Sequence, residues 1–217
     1  MTPEVIDLGK MEYGEALTFQ RDLASKRARG EAPDSLLLVE HDSVITLGKK
    51  TTTENFRPQT VPVFEVERGG DATYHGPGQL VGYPILLIAD HDVRRHVRTI
   101  ERALVGSVAR FRVEAKTVEG HPGIWTDGRK IASIGVAVTN WVSYHGFALN
   151  VNTDMSNFNL IRPCGLDPET MTSMEKVLGV RVPLSEVKIA VVEEYSKATG
   201  INFNPRVALF SREPGKH

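Results

Sequence analysis

Ile124-Trp125-Thr126-Asp127-Gly128-Arg129-Lys130-Ile131 reads as a tight hairpin. Asp-Gly tolerates the positive φ that a two-residue turn demands, and the flanks carry β-branched and aromatic residues. Residues 132–138 and 144–151 supply further strands around the connection 139–143. A hairpin extended in this way favours antiparallel pairing, because sequential strands joined by short turns run in opposite directions.

Upstream, Val93, Val97, Ile100, Leu104, Val108 and Phe111 recur at steps of three and four, which predicts an amphipathic helix with Arg94, Arg95, Arg98, Arg102 and Arg110 on its other face. Tyr13, Ala16, Leu17, Gln20, Leu23, Ala24 and Arg27 predict an earlier helix, closed by Gly30 and Pro33. The apolar runs 35–40, 43–47 and 80–87 read as strands, as does the alternating 64–67. Between the last two lies a glycine-dense loop, 69–78. Residues 154–168 have no period and are rich in Asn and Pro, so they read as loop, with helices returning at 171–178 and 184–198. Met1 to Lys10 carries scattered apolar residues without the continuous run of a secretory signal. The expected class is α+β: largely antiparallel mixed sheets flanked by helices, in a single domain over residues 1–217.

The 217 residues hold one cysteine, Cys164, so an internal disulfide framework is excluded. Lys+Arg of 26 against Asp+Glu of 27 argues against a nucleic-acid partner, and no window is apolar enough for a membrane span. A cytoplasmic location, where a thiol stays reduced, is the expectation. Gly48-Lys49 fails as a phosphate loop, with Ser43 where glycine is needed and Lys50 where Ser or Thr is needed. The seven histidines lack metal-ligand spacing, and no metal is expected.

Arg68-Gly69-Gly70-Asp71-Ala72-Thr73-Tyr74-His75-Gly76-Pro77-Gly78-Gln79 combines close backbone approach with directional side chains. A turn-rich surface loop fits the same residues. Cys164 sits between Pro163 and Gly165, a setting for an exposed thiol, although an inert buried cysteine is the alternative. A nucleophilic thiol, with its reference pKa of about 8.5, needs a nearby cation to become thiolate. Lys130 is one source of that charge; an ordinary solvated turn lysine is the other reading.

Together, residues 68–84, Gly128-Arg129-Lys130-Ile131-Ala132-Ser133-Ile134-Gly135, Tyr144-His145-Gly146-Phe147-Ala148-Leu149-Asn150-Val151-Asn152 and Pro163-Cys164-Gly165 closely resemble the lipoyl(octanoyl) transferases, within the biotin and lipoate protein ligase superfamily. The resemblance covers most of the chain and implies a biotin/lipoate protein ligase-like fold. It implies transfer of an octanoyl or lipoyl group from acyl carrier protein to a lysine of a lipoyl domain, in protein lipoylation. Acceptors would be apo lipoyl domains of 2-oxoacid dehydrogenase E2 subunits and the glycine cleavage H protein. No cofactor is implied, and a monomer is expected.

By the same resemblance, Cys164 would carry the acyl thioester and Lys130 would assist it. Arg68, Gly69, Gly70, Asp71, Ala72, Thr73, Tyr74, His75, Ser133, Ile134, Gly135, Gly146, Phe147 and Ala148 would line the acyl site. Oxyanion donors are expected from backbone N–H groups near Cys164 or Gly76, with His75 as an orienting or proton-shuttling group. The arginine face of the 93–111 helix, with Lys49 and Lys50, reads as a solvated helix face or as a surface for an acidic carrier protein. Rival readings are an ATP-dependent lipoate or biotin protein ligase, a cysteine hydrolase and a non-catalytic carrier-binding module.

Overall fold

The computed structural model describes residues 1–51, 61–161, 168–203 and 208–209. Strand β1 (Glu4–Lys10) leads into helix α1 (Tyr13–Ala28), then β2 (Ser35–Glu40), β3 (Val44–Leu47), β4 (Val63–Glu65), β5 (Thr73–His75) and β6 (Gln79–Ile85). Helix α2 (Val93–Ala109) precedes β7 (Gly123–Thr126), β8 (Arg129–Thr139) and β9 (Val142–Asn150). The chain then forms α3 (Met174–Leu178), α4 (Leu184–Thr199) and a short β10 (Ala208–Leu209).

Among the described residues the strands make a large sheet, ordered β10-β1-β2-β6-β9-β8-β7, and a small one, β4-β3-β5. Pairing is antiparallel from β2 through to β7, whereas β1 runs parallel to both of its neighbours and β4 runs parallel to β3. The α+β class with largely antiparallel sheets is thus the observed one.

Helices cover both faces of the large sheet. Leu36 and Leu38 of β2 pack with Ile100 and Leu104 of α2 and Val191 of α4, while Leu37 and Val39 pack with Ala16, Leu23 and Ala24 of α1. This explains why β2 is a continuous apolar run and does not alternate. Each such side chain contributes about 1.5–3 kcal/mol by leaving water. The small sheet has its own core, in which Ile45, Ala72 and Tyr74 meet Met155, Phe158, Ile161 and Met171.

Local chemistry sets the boundaries. Asp127 (φ 47) and Gly128 (φ 73) form the turn expected between β7 and β8. Asn140 (φ 47) and Trp141 (φ 62) make an equivalent turn between β8 and β9, where the half-exposed Trp141 ring stacks on His91 at 3.9 Å between centroids. Helix α2 starts at Asp92, whose carboxylate accepts from the Arg95 N–H at 2.9 Å. The five arginines Arg94, Arg95, Arg98, Arg102 and Arg110 are exposed, with Arg95 paired to Asp90 and Arg110 to Glu193.

Four expectations change. Residues 4–10, which the sequence leaves unassigned, form β1. Asp7 faces inward there and pairs with Lys188 of α4 at 2.7 Å, so a charge interrupts the apolar pattern. The glycine-dense stretch is not all loop, since it contains the fully buried β5. Residues Met155–Leu160, read as loop, form 3-10 helix, and the helix expected from 171 begins at Met174 behind a Ser173 cap. Among the described residues no helix is long and apolar enough to cross a membrane.

Candidate active site

Lys130 is the second residue of β8, just past the Asp127-Gly128 turn, yet it is only 3% exposed. The solvated-lysine reading is therefore corrected. The hairpin register places Lys130 opposite Trp125, with its Nζ 5.6 Å from the ring centroid. Gly123 leaves the space that this side chain crosses: a Cβ there would lie 2.7 Å from Lys130 Cε and overlap the Ala132 carbonyl. The Gly123 N–H donates to Glu101 Oε1 of α2 at 3.1 Å. On its other side, the Lys130 backbone bridges Met171 in parallel and accepts from the Thr172 N–H at 2.9 Å.

Lys130 opens onto a cavity of about 600 Å³. Two predicted trios form part of its wall as directly paired rungs of β8 and β9: Ser133 with Ala148, Ile134 with Phe147, and Gly135 with Gly146. Arg68, Gly69, Gly70, Asp71, Ala72, Thr73 and His75 line it as well. The loop is pinned to β8 by Gly69, whose N–H donates to Val136 O at 2.9 Å. Gly135 lacks the Cβ that would stand 2.6 Å from the Gly69 carbonyl. Tyr74 does not line the cavity; its hydroxyl bonds Ser43 at 2.9 Å and its ring meets Phe158 edge-on. Gly76 is not among the lining residues either.

Arg162, Pro163, Cys164 and Gly165 lie outside the described residues. Their described flanks, Ile161 and Met171, share one apolar cluster with Ala72 and Tyr74.

Residues 12–196 match the lipoyl protein ligase A/B catalytic domain. The chain belongs to that family. It is 45% identical over 191 residues to an octanoyltransferase of Geobacter metallireducens, covering 87% of this chain and 90% of the relative. An octanoyltransferase of Geotalea uraniireducens is 46% identical over 189 residues, covering 86% and 88%. Among solved structures, a lipoate-protein ligase A with bound ATP superposes with a TM-score of 0.77 at 19% identity, covering 97% of this chain and 90% of that one. At that identity the likeness concerns the fold alone.

In this family member part of the cavity wall is polar, and its histidines are held neutral. Burial, aided by His41 and Arg68, pushes the pKa of His75 down to about 3. Burial and the Arg68 charge push His145 down to about 4, against the opposing pull of Glu67. Burial lowers His41 and raises Tyr13 to about 12. At neutral pH, then, these imidazoles are uncharged hydrogen-bonding groups. The charge nearby belongs to Arg68, whose guanidinium donates to Thr46 Oγ1, to Thr46 O at 2.8 Å and to Gly69 O at 3.0 Å. Among the described residues no cluster of His, Cys, Asp and Glu could hold a metal ion.

Sequence reasoning missed several wall residues. Val93 and Val97 bring the first turn of α2 to the cavity, Val81 and Tyr83 come from β6, Tyr13 from α1 and His145 from β9. The valines were visible as the start of an apolar stripe. His145 was visible only as a member of a quoted motif, and its positive φ of 55 has no sequence signature. Lys50, exposed on the other side, also reaches the wall.

Proposed function

We propose that the whole chain acts as one octanoyltransferase unit and a monomer, moving an octanoyl or lipoyl group from an acyl carrier protein to a lysine of an apo lipoyl domain. Membership of a family whose relatives are octanoyltransferases makes it an acyltransferase. The observation that carries the route is the burial of Lys130 in an acyl-sized cavity wall, bridged to Met171. The 2-oxoacid dehydrogenase E2 subunits and the glycine cleavage H protein are the proposed sources of acceptor domains.

Cys164, as thiolate, attacks the donor thioester; the carbonyl–sulfur bond to the carrier breaks, the carrier leaves as thiol with the proton of the Lys130 ammonium, and the acyl group stays on the Cys164 sulfur. The acceptor ε-amine then attacks this thioester, and the sulfur leaves as thiolate. The Lys130 ammonium favours thiolate in the first half; as neutral amine it accepts the proton of the attacking amine in the second. One thioester replaces another, so no ATP is required. Val81, Val93, Val97, Ile134, Phe147 and Ala148 offer the acyl chain an apolar wall. The exposed Arg94 and Arg98, beside the lining Val93 and Val97, together with Lys49 and Lys50, present cations to an acidic carrier.

The test is incubation with octanoyl-acyl carrier protein in the absence of ATP, followed by intact-mass analysis. One octanoyl adduct on Cys164, moving to the acceptor lysine when an apo lipoyl domain is added, is the expected result. No adduct would remove the covalent route, release as free octanoate would show a hydrolase, and activation of free octanoate only with ATP would show a ligase. Lys130→Arg keeps the charge but not the base, so its adduct should form and its transfer step fail; full turnover would exclude the base role.

A further inference from the structure

A run of side-chain hydrogen bonds leads away from the cavity wall, where Arg68 and His75 line it, with every donor pointing one way. Its start is fixed because a guanidinium only donates: Arg68 Nε and Nη2 lie 3.2 and 2.8 Å from Thr46 Oγ1. The hydroxyl accepts these, and its own hydrogen is left for His75 Nε2 at 3.5 Å. The far end is fixed because a carbonyl only accepts: Asn150 Nδ2 donates to Thr172 O at 3.0 Å. Asn150 Oδ1 is then the acceptor for Gln79 Nε2 at 2.9 Å. The same Gln79 nitrogen donates to Tyr74 O at 3.1 Å, which orients the amide, so Gln79 Oε1 accepts from His75 Nδ1 at 2.8 Å. The two ends together permit one tautomer of His75, with the proton on Nδ1.

This chain ties the small sheet (Thr46, His75) through β6 and β9 to Thr172, whose own N–H holds the Lys130 carbonyl. Its members Thr46, His75, Gln79, Asn150 and Thr172 are all buried. A break in it therefore strands a desolvated partner and is not repaired by solvent.

We propose that Gln79 and Asn150 are positioning residues for acyl transfer, setting Met171 and Thr172 against Lys130 and holding His75 in a single tautomer. The proposal rests on the transfer reading above for its kinetic consequence, but not for its structural one. Met171 follows the stretch that carries Cys164, so the seam that Asn150 fixes is the described link between that stretch and the lysine. A displacement of about 1 Å at such a seam costs a transfer reaction roughly 10- to 100-fold.

The experiment combines two near-isosteric variants with measurements on the wild type. Asn150→Asp keeps the acceptor for Gln79 and loses the donor to Thr172. Gln79→Glu keeps the acceptor for His75 and loses the donor to Asn150. Both should lower kcat roughly 10- to 100-fold with KM for the acyl donor within about threefold, and both should speed amide exchange at Thr172. In the wild type, nitrogen NMR of the histidines should show His75 protonated on Nδ1 alone. Wild-type kcat in the folded variants, a loss confined to KM, or an Nε2-protonated His75 would overturn the proposal. The exchange and tautomer measurements need no substrate, so they judge the positioning chain even if Cys164 forms no adduct. A wild type that forms no adduct counts against the transfer reading alone.

Discussion

Gly123 and Gly128 lie five residues apart in one hairpin, and a methyl group at each has a different consequence. Gly123 has φ 135, and its Cβ would press on Lys130 Cε and the Ala132 carbonyl. Gly128 has φ 73, with nothing within 4 Å of the added carbon. Gly123→Ala should therefore lower stability by about 1–3 kcal/mol and the acyl-transfer rate at least tenfold, because the lysine must move. Gly128→Ala should cost about 1–2 kcal/mol of backbone strain and leave the rate unchanged. Urea unfolding with single-turnover transfer measures both; equal rates for the two variants would show that Gly123 does not govern the position of Lys130.

At the level of elements, α2 contributes to the core and to the mouth of the cavity at once. Its apolar stripe carries Ile100, Leu104 and Val108 inward, and the first turn sets Val93 and Val97 on the wall with Arg94 and Arg98 exposed beside them. Replacing both arginines by glutamate should raise KM for an acyl carrier protein several-fold at low salt, with the difference shrinking as ions screen it. An uncharged octanoyl thioester should be used equally well by both proteins. A carrier KM insensitive to the charge reversal would rule out electrostatic docking at this helix. The stripe and the Asp127-Gly128 turn were legible because their signals are local. β1 was hidden by Asp7, whose inward charge is meaningful only once Lys188 arrives from residues far along the chain. β5 was hidden because three residues among glycines have no period of their own.

For the whole molecule, burial of histidines makes stability depend on pH. His75 is held at about 3, and burial holds His96 and His145 at about 4, all below the ordinary value near 6.5. The unfolded chain binds protons that the folded chain refuses, so this stability is complete above about pH 6.5 and is lost as pH falls towards 4. Each refused proton adds to the stability of the folded chain at neutral pH, so acid weakens the fold through all three histidines. The urea midpoint should be steady from pH 7 to 8 and fall steeply below 6, and His96→Leu should flatten the fall. An unchanged midpoint between pH 7 and 5 would contradict this. Much of the cavity wall was legible because the trios 133–135 and 146–148 lie within single strands that pair. Tyr13 and Tyr83 were not, because only the packing of α1 against the sheet brings them to one wall.

The chain has two tryptophans, and the fold gives them opposite surroundings. Trp141 is 42% exposed against His91, while Trp125 is 6% exposed with Lys130 Nζ over its ring. A Trp141→Phe protein would thus hold one indole, next to the lysine, and its fluorescence would report an acyl chain entering the cavity. On the route proposed above, each of its two acyl steps would then be visible optically, in real time and without a label.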